Sequence, residues 1–206
     1  MQCTRDGLTP LEKNPVCVLL FSGKRKSGKD YITDIIYDRL GTDNATLIKI
    51  SAPIKSHWAE KHDLNFEELM SAGEYKEAHR QDMIKWSEEI RQKDYGYFCQ
   101  AAVELCNAHT KPVWIVSDTR RQTDLKWFKE NYGTAVKTVR VLADDDVRSK
   151  RGWVFTPGVD DADTECALDE VTEWDWRILN NGSESELEDE MQNILSWVNS
   201  TLNSQQ

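Results

Sequence analysis

The sequence lacks any long apolar run. The longest early one, Val16 to Phe21, spans six residues, whereas a membrane-crossing helix needs about 20. Arg5, Asp6, Glu12 and Lys13 precede that run and no small-residue cleavage site follows it. A secretory leader is therefore not expected. The terminal Asn-Ser-Gln-Gln carries neither a peroxisomal address nor a prenylation box. Cysteine is sparse and unpaired: Cys3, Cys17, Cys99, Cys106 and Cys166 form no Cys-x-x-Cys. That pattern predicts reduced thiols in the cytosol and no structural zinc. His57, His62, His79 and His109 show no metal-ligand spacing. There is no internal repeat and no low-complexity tract. A loose polar lead-in (1–14) and one domain over 15–206 are expected.

An excess of positive charge is also missing. The formal net charge is −10, which argues against nucleic acid as a partner. The deficit is uneven, however. Residues 1–143 carry 20 acidic and 22 basic groups, and residues 144–206 carry 16 acidic and 4 basic groups. The first two-thirds can thus hold a local anion site.

What is present is an alternation of strand and helix signals. Val16–Phe21 and Val113–Val116 read as buried strands, Leu47–Ile50 as a short one, and Val136–Leu142 and Trp176–Leu179 as further strands. Between them, Ile32, Ile35, Ile36 and Leu40 form a helical stripe ending at Gly41. Pro53 is placed to open a helix running toward His62. Glu74–Lys93 predicts a long surface helix, Phe98–Leu105 and Asp124–Tyr132 two more, and Leu187 to Leu202 a last one with a clear inner face. Trp58, Trp86, Trp114, Trp127 and Trp197 fall on these elements as core candidates. The alternation implies an α/β fold with a parallel sheet flanked by helices in three layers. Residues 144–165, with six Asp, one Glu, Gly152, Pro157 and Gly158, predict an exposed, mobile segment.

Chemistry enters at Gly23-Lys24-Arg25-Lys26-Ser27-Gly28-Lys29-Asp30, between a strand and a helix. It fits the phosphate-binding loop G-x-x-x-x-G-K, with Asp30 in place of the usual Ser/Thr. Glycines let backbone N–H groups turn toward a polyphosphate, and the helix that follows points its positive end at the same anion. Lys29 would reach the β- and γ-phosphates of ATP. Lys24, Arg25 and Lys26 add charge, and the Asp30 carboxylate can serve Mg²⁺ directly or through water. A GTPase would show Asn-Lys-x-Asp, which is absent. The only Asp-x-x-Gly, Asp38 to Gly41, ends a helix rather than following a strand.

After Val113–Val116 comes Ser117-Asp118-Thr119-Arg120-Arg121. Ligands sit at the carboxyl ends of parallel strands, and two arginines there suit phosphate. Asp118 would assist the metal through water or cap the turn. On the long helix, Lys76 and Arg80 lie at i, i+4 and Arg91 eleven residues later, near one face. Arg140, Arg148 and Arg151 flank the 144–165 segment as candidate arginines of a lid over ATP.

With these residues in view, the chain resembles the animal-type phosphomevalonate kinases. The resemblance rests on Leu19 through Asp30, on Tyr75-Lys76-Glu77-Ala78, on Val116 through Arg121, and on Arg151-Gly152-Trp153-Val154-Phe155-Thr156-Pro157-Gly158-Val159-Asp160-Asp161. It spans roughly 16–200 in one register and makes Asp30 the family's own form of the loop. It implies a nucleoside-monophosphate-kinase-like P-loop fold with a short lid at about 144–165. The implied reaction takes ATP, with Mg²⁺, and (R)-5-phosphomevalonate to ADP and (R)-5-diphosphomevalonate. By position it puts Lys24, Arg25, Lys26, Ser27, Gly28, Lys29, Asp30, Arg151 and Asn181 at ATP. It puts Arg91, Arg120, Arg121 and Asn180 around the acceptor or the transferring phosphoryl, joining Lys76 and Arg80 as substrate contacts. Lys29 and Arg120 are the expected catalytic residues. Gln100 and Asn181 stand where the family pattern leads to Arg and His. Two other readings fit the residues: a P-loop kinase for another small phosphorylated acceptor, and a non-catalytic ATP-binding regulator. A cytosolic monomer without membrane contact is the expectation.

Overall fold

The computed structural model describes residues 15–70 and 74–204, without the side chains of Glu74, Lys76 and Glu77. The 1–14 lead-in lies outside the described residues. Strands β1 (Cys17–Gly23), β2 (Ala45–Ile48), β3 (Val113–Val116), β4 (Val136–Leu142) and β5 (Trp176–Leu179) form one parallel sheet in the order β2-β3-β1-β4-β5. Crossing helices are α1 (Lys29–Leu40), α2 (Ser51–His62), α3 (Phe66–Met70), α4 (Glu74–Lys93), α5 (Tyr97–Leu105) and α6 (Gln122–Tyr132). They continue with α7 (Asp145–Lys150), α8 (Asp163–Cys166) and α9 (Glu184–Asn203).

The central strand explains the three layers. Cys17 through Phe21 are wholly buried, as a strand covered on both faces must be. Cys17, Leu19 and Phe21 join Ile32, Ile36 and Leu40 of α1 and Leu187, Met191, Ile194 and Val198 of α9 in one core. Val18 and Leu20 point the other way, onto Phe98, Ala102, Leu125 and Phe128 of α5 and α6. Each such side chain contributes about 1.5–3 kcal/mol on burial, so the two faces hold β1 from opposite sides. Burial also sets the chemistry of the Cys17 thiol. Despite a hydrogen bond with Thr201, desolvation pushes its pKa up to about 11, and it remains an inert core group. The four cysteines among the described residues are all free.

Several element boundaries shift from the sequence reading. Helix α2 begins at Ser51 rather than Pro53, because the Asp118 carboxylate accepts from Ile50 N (2.6 Å) and Ser51 N (3.0 Å). That cap comes from 67 residues away, so no local signal announces it. The short α3, α7 and α8 were not expected. The 144–165 segment is less exposed than its composition suggests: Arg148, Asp160, Thr164 and Glu165 are buried. The burial of Arg148, Asp160 and Glu165 goes with ion pairs and hydrogen bonds made across to the loop and to α4, described next.

Candidate active site

The loop between β1 and α1 adopts the conformation its glycines allow. Gly28 sits at φ +88° and Lys26 at +62°. A Cβ at Gly28 would lie 2.2 Å from Asn180 Nδ2, and one at Gly23 would lie 2.9 Å from the Val141 carbonyl oxygen. Glycine at both positions therefore permits close approach to neighbours as well as an unusual turn.

The loop is braced from outside through its carbonyl oxygens. Asn180 Nδ2 donates to Ser27 O (2.9 Å). Arg151 donates to Ser27 O (3.1 Å), Asn180 O (2.8 Å) and Asn180 Oδ1 (3.1 Å). Arg148 Nε donates to Arg25 O (2.8 Å) while its guanidinium stacks on Trp153 at 3.9 Å. Those carbonyls are engaged from outside, and within the loop Ser27 N–H donates to Lys24 O (3.1 Å). Asn180 thus stands with the loop and is not among the residues lining the cleft described below. Asn181 is engaged as well, accepting from Asp144 N (2.9 Å) and donating to Asp144 Oδ2 (2.8 Å).

Two cations of the loop, Lys24 and Arg25, each meet a carboxylate from farther along the chain. Lys24 pairs with Asp169 (2.5 Å), and Arg25 with Asp160 (3.0 Å). Desolvation works against the Lys24 charge, but Asp169 and the nearby Cys166 prevail and hold its pKa above the ordinary lysine value. Desolvation likewise raises the Asp160 pKa. Hydrogen bonds from Trp153 and Thr156 N–H, with the charges of Arg25 and Arg148, outweigh it and leave the pKa lowered.

Arg140 departs from the sequence expectation. It is no lid residue: it lies within β4, buried, donating to Ser22 Oγ (2.8 Å) and pairing with Asp169 (2.8 Å). Its nearness in sequence to residue 144 suggested the lid. The strand instead turns it inward beneath the loop, where it anchors the same Asp169 that meets Lys24.

Lys29 opens α1 and is nearly buried; it donates to the Asp30 carboxylate (2.5 Å) and to the Ser117 carbonyl oxygen. It thereby joins the β1 loop to the end of β3. From this point a cleft of about 250 Å³ opens, lined by Lys29, Asp30, Lys49, Lys55, Arg80, Arg120 and Arg121, with Ile54, Met70, Met83 and Ile84 supplying an apolar side. The predicted Lys29, Asp30, Arg80, Arg120 and Arg121 are thus brought together from the β1 loop, α4 and the β3 end. Lys76 lies on α4, but its side chain is outside the described residues.

The arginine pair after β3 is positioned by Asp124. This buried carboxylate accepts from Arg120 N (3.2 Å) and Arg121 N (3.1 Å), and pairs with buried Arg91 (2.9 Å). Arg91 is therefore committed to a structural ion pair one layer behind the cleft, next to the Phe98 ring. Arg121 pairs with Glu88 of α4, and Arg120 with Glu165 of α8; Arg80 meets the same Glu165 at 3.2 Å. Gln100 lies on α5, bonded to Glu104 (2.9 Å), and does not line the cleft.

Sequence reasoning missed Lys49, Lys55, Asp124, Asp160, Glu165 and Asp169. Lys49 had a usable signal, since it follows β2 directly at the carboxyl edge of the sheet. Asp124 had a local one, at the third residue of α6 where it caps the turn before it, whereas Asp160, Glu165 and Asp169 had none, because their charged partners are remote in sequence.

Asp30 is the residue here best suited to a divalent metal. Its side chain is largely exposed at the cleft. Desolvation pushes its pKa up, but the charge and hydrogen bond of Lys29, with Lys49 and Arg120 farther off, bring it below the usual carboxylate value. A hard, ionised oxygen beside a phosphate loop suits Mg²⁺ held mainly by nucleotide oxygens and water. No group of three or more potential metal ligands exists among the described residues. Asp118 spends both oxygens on the α2 cap. Two buried hydroxyls at this site, Ser27 Oγ and Thr164 Oγ1, have no hydrogen-bond partner, and a polar ligand would satisfy them.

A family model described as phosphomevalonate kinase matches residues 21–134, which include the loop, the cleft-lining helices and the arginine pair. A phosphomevalonate kinase from Drosophila melanogaster is 45% identical over 173 residues, covering 83% of this chain and 91% of that protein. The chain belongs to the phosphomevalonate kinase family. Solved structures agree on the fold. TT1252 from Thermus thermophilus superposes with a TM-score of 0.51 at 16% identity, over 89% of this chain and 98% of that one. A gluconokinase from Sinorhizobium meliloti 1021 gives 0.50 at 13% identity, over 94% and 99%. At such identities the likeness concerns the fold alone. Within the family frame, the described residues include no helix long and apolar enough to cross a membrane.

Proposed function

We propose that this chain transfers the γ-phosphoryl group of ATP to (R)-5-phosphomevalonate, giving ADP and (R)-5-diphosphomevalonate for isoprenoid and sterol synthesis in the cytosol. The observation that carries the reading is the cleft itself. It runs from the phosphate-loop Lys29 to Arg80, Arg120 and Arg121 and is flanked by an apolar wall. The acceptor is an anionic phosphate attached to a short methyl-bearing chain that ends in a carboxylate. Cations at both ends of the cleft and Ile54, Met83 and Ile84 along its side match that pattern of charge and apolarity.

The chemistry asks little of an acid or base. The attacking oxygen already bears charge, so the obstacle is the repulsion between two polyanions. Loop N–H groups and Lys29 hold the donor phosphates. Arg120, fixed by Asp124 through its backbone, neutralises the group in flight. Arg121 and Arg80 orient the acceptor phosphate for in-line attack, with Lys49 and Lys55 adding positive potential. Mg²⁺, held through Asp30 and the nucleotide, would supply further charge neutralisation. Arg148 and Arg151, from the 144–165 segment, keep the loop in its anion-binding shape.

The test is ADP release by the purified protein with MgATP and 5-phosphomevalonate, coupled to a spectrophotometric readout. Acceptor-dependent release is expected. A correctly folded protein that releases none, or that prefers a nucleoside monophosphate in kcat/KM, would contradict the proposal.

A further inference from the structure

Glu165 is a buried carboxylate from α8, yet it meets two arginines that line the cleft. Its side chain is only 2% exposed; it accepts from Arg80 at 3.2 Å and from Arg120 more closely. Arg80 comes from α4 and Arg120 from the turn after β3, so one acid ties three distant segments together. The preceding residue, Thr164, lines the cleft, and its buried hydroxyl has no hydrogen-bond partner. Glu165 therefore offers these guanidiniums the same kind of ligand that a phosphate would: planar or tetrahedral oxygen carrying negative charge.

We infer that Glu165 is a specificity-determining residue, an internal carboxylate that competes with the acceptor for Arg80 and Arg120 and so admits doubly charged phosphates in preference to singly charged anions. The inference rests on the proposed reading that this cleft holds the acceptor. A carboxylate brings one charge; a phosphate monoester brings about 1.5 to 2 and three acceptor oxygens. An incoming singly charged ligand only exchanges with Glu165 on roughly equal terms. A phosphate wins the exchange, and the displaced Glu165 releases α8 from α4. Charge selection and movement of the 144–165 segment are then one event. The site already contains Lys29, Lys49, Lys55 and Arg121 beside Asp30 and Asp118, and Glu165 is the carboxylate that holds two of its arginines at once. Glu165 acts through the arginines and is not a catalytic residue.

The test compares wild type with Glu165→Gln, which keeps the shape and removes the charge. Two titrations use inorganic phosphate and acetate as probes, and steady-state kinetics use 5-phosphomevalonate. Glu165→Gln should bind phosphate about fivefold to tenfold more tightly, the scale of one charge-assisted hydrogen bond no longer contested. Acetate, which must displace the same carboxylate, should gain by about the same factor, so that the variant takes up a singly charged anion at concentrations where wild type does not. KM for the acceptor should fall, while KM for ATP stays unchanged. If Glu165 merely anchors the segment, the variant binds phosphate no better, and KM for the acceptor rises. That result overturns the inference. Wild-type hydrogen exchange gives a second reading that needs no variant. Inorganic phosphate should speed exchange in the amides of residues 163–166, and unchanged or slower exchange would contradict displacement. Failure of wild type to turn over 5-phosphomevalonate would remove the proposed acceptor but leave the phosphate and acetate titrations decisive for Glu165.

Discussion

The two ends of the site differ in how many segments build them. At the end proposed for the nucleotide, eight consecutive residues from Gly23 to Asp30 form the cradle; Asn180, Arg148 and Arg151 donate to its carbonyl oxygens, and Asp169 and Asp160 meet the side chains of Lys24 and Arg25. At the end proposed for the acceptor no segment contributes more than a few residues, and the side chains are held by carboxylates from several elements: Glu165 on Arg80 and Arg120 and Glu88 on Arg121, with Asp124 on Arg91 behind them. The difference follows from the task. A polyphosphate is bound chiefly by backbone geometry, which one loop can supply. Choosing one small acceptor needs charges placed in three dimensions, which several elements must supply together.

The largest test of this contrast is Asp124→Ala. It would leave buried Arg91 without its counter-ion and the Arg120–Arg121 turn without its acceptor. Removing one partner of a buried pair costs about 3–5 kcal/mol, so denaturant unfolding should show a loss of that size. KM for the acceptor should rise together with it. Next comes Lys29→Met, which removes the cation nearest the transferring group. A drop in kcat of about 10²–10³ is expected, as for other positioned transition-state donors, with thermal stability held. Arg120→Ala should lower kcat by about tenfold or more while leaving KM for ATP unchanged. A rise in KM for ATP would erase the proposed division between the two ends.

Gly28→Ala probes the nucleotide end alone. The positive φ costs about 1–2 kcal/mol for a residue with Cβ, and the new methyl would displace the Asn180 side chain. Calorimetry should show a lowered Tm, and kinetics a higher KM for ATP with little change in that for the acceptor.

The smallest effect lies away from both ends. Arg39 of α1 holds Glu188 of α9 through two hydrogen bonds of 2.7 and 2.8 Å. These and a further one from Gln192 draw the Glu188 pKa down from 4.5 to about 2. A carboxyl whose pKa is lowered on folding adds stability above its unfolded value and loses it as pH falls through the folded one. Glu188→Gln should therefore lower Tm slightly at neutral pH, and the difference should vanish as pH falls from 4.5 to about 2. Activity should be unaffected throughout.

The same contrast explains what was legible in the sequence. The run Val16–Phe21 announced β1 because a strand covered on both faces must be continuously apolar, and the stripe Ile32, Ile36, Leu40 announced the face of α1 that packs on it. The loop between them was readable because its residues are contiguous. Arg120 and Arg121 were found through their place after a strand. Asp124 was missed although it lies three and four residues after the N–H groups it holds; Asp160, Glu165 and Asp169 had no local signature, since their charged partners lie far along the chain. Their wide dispersal also made the acidic final third look like solvated surface. Arg140 was misplaced for the reverse reason. Sequence proximity to the 144–165 segment suggested membership, whereas the alternation along β4 turns it beneath the loop. The start of α2 was missed because its cap, Asp118, arrives from the neighbouring strand.

The central claim is that these two ends pass one phosphoryl group between them. Phosphorus NMR of a mixture of protein, MgATP and 5-phosphomevalonate follows that group directly. The account predicts that the γ-phosphate resonance of ATP disappears and an organic diphosphate grows in equal amount with ADP, only when protein and acceptor are both present. Loss of the γ-phosphate to free inorganic phosphate, with 5-phosphomevalonate unchanged, would contradict it.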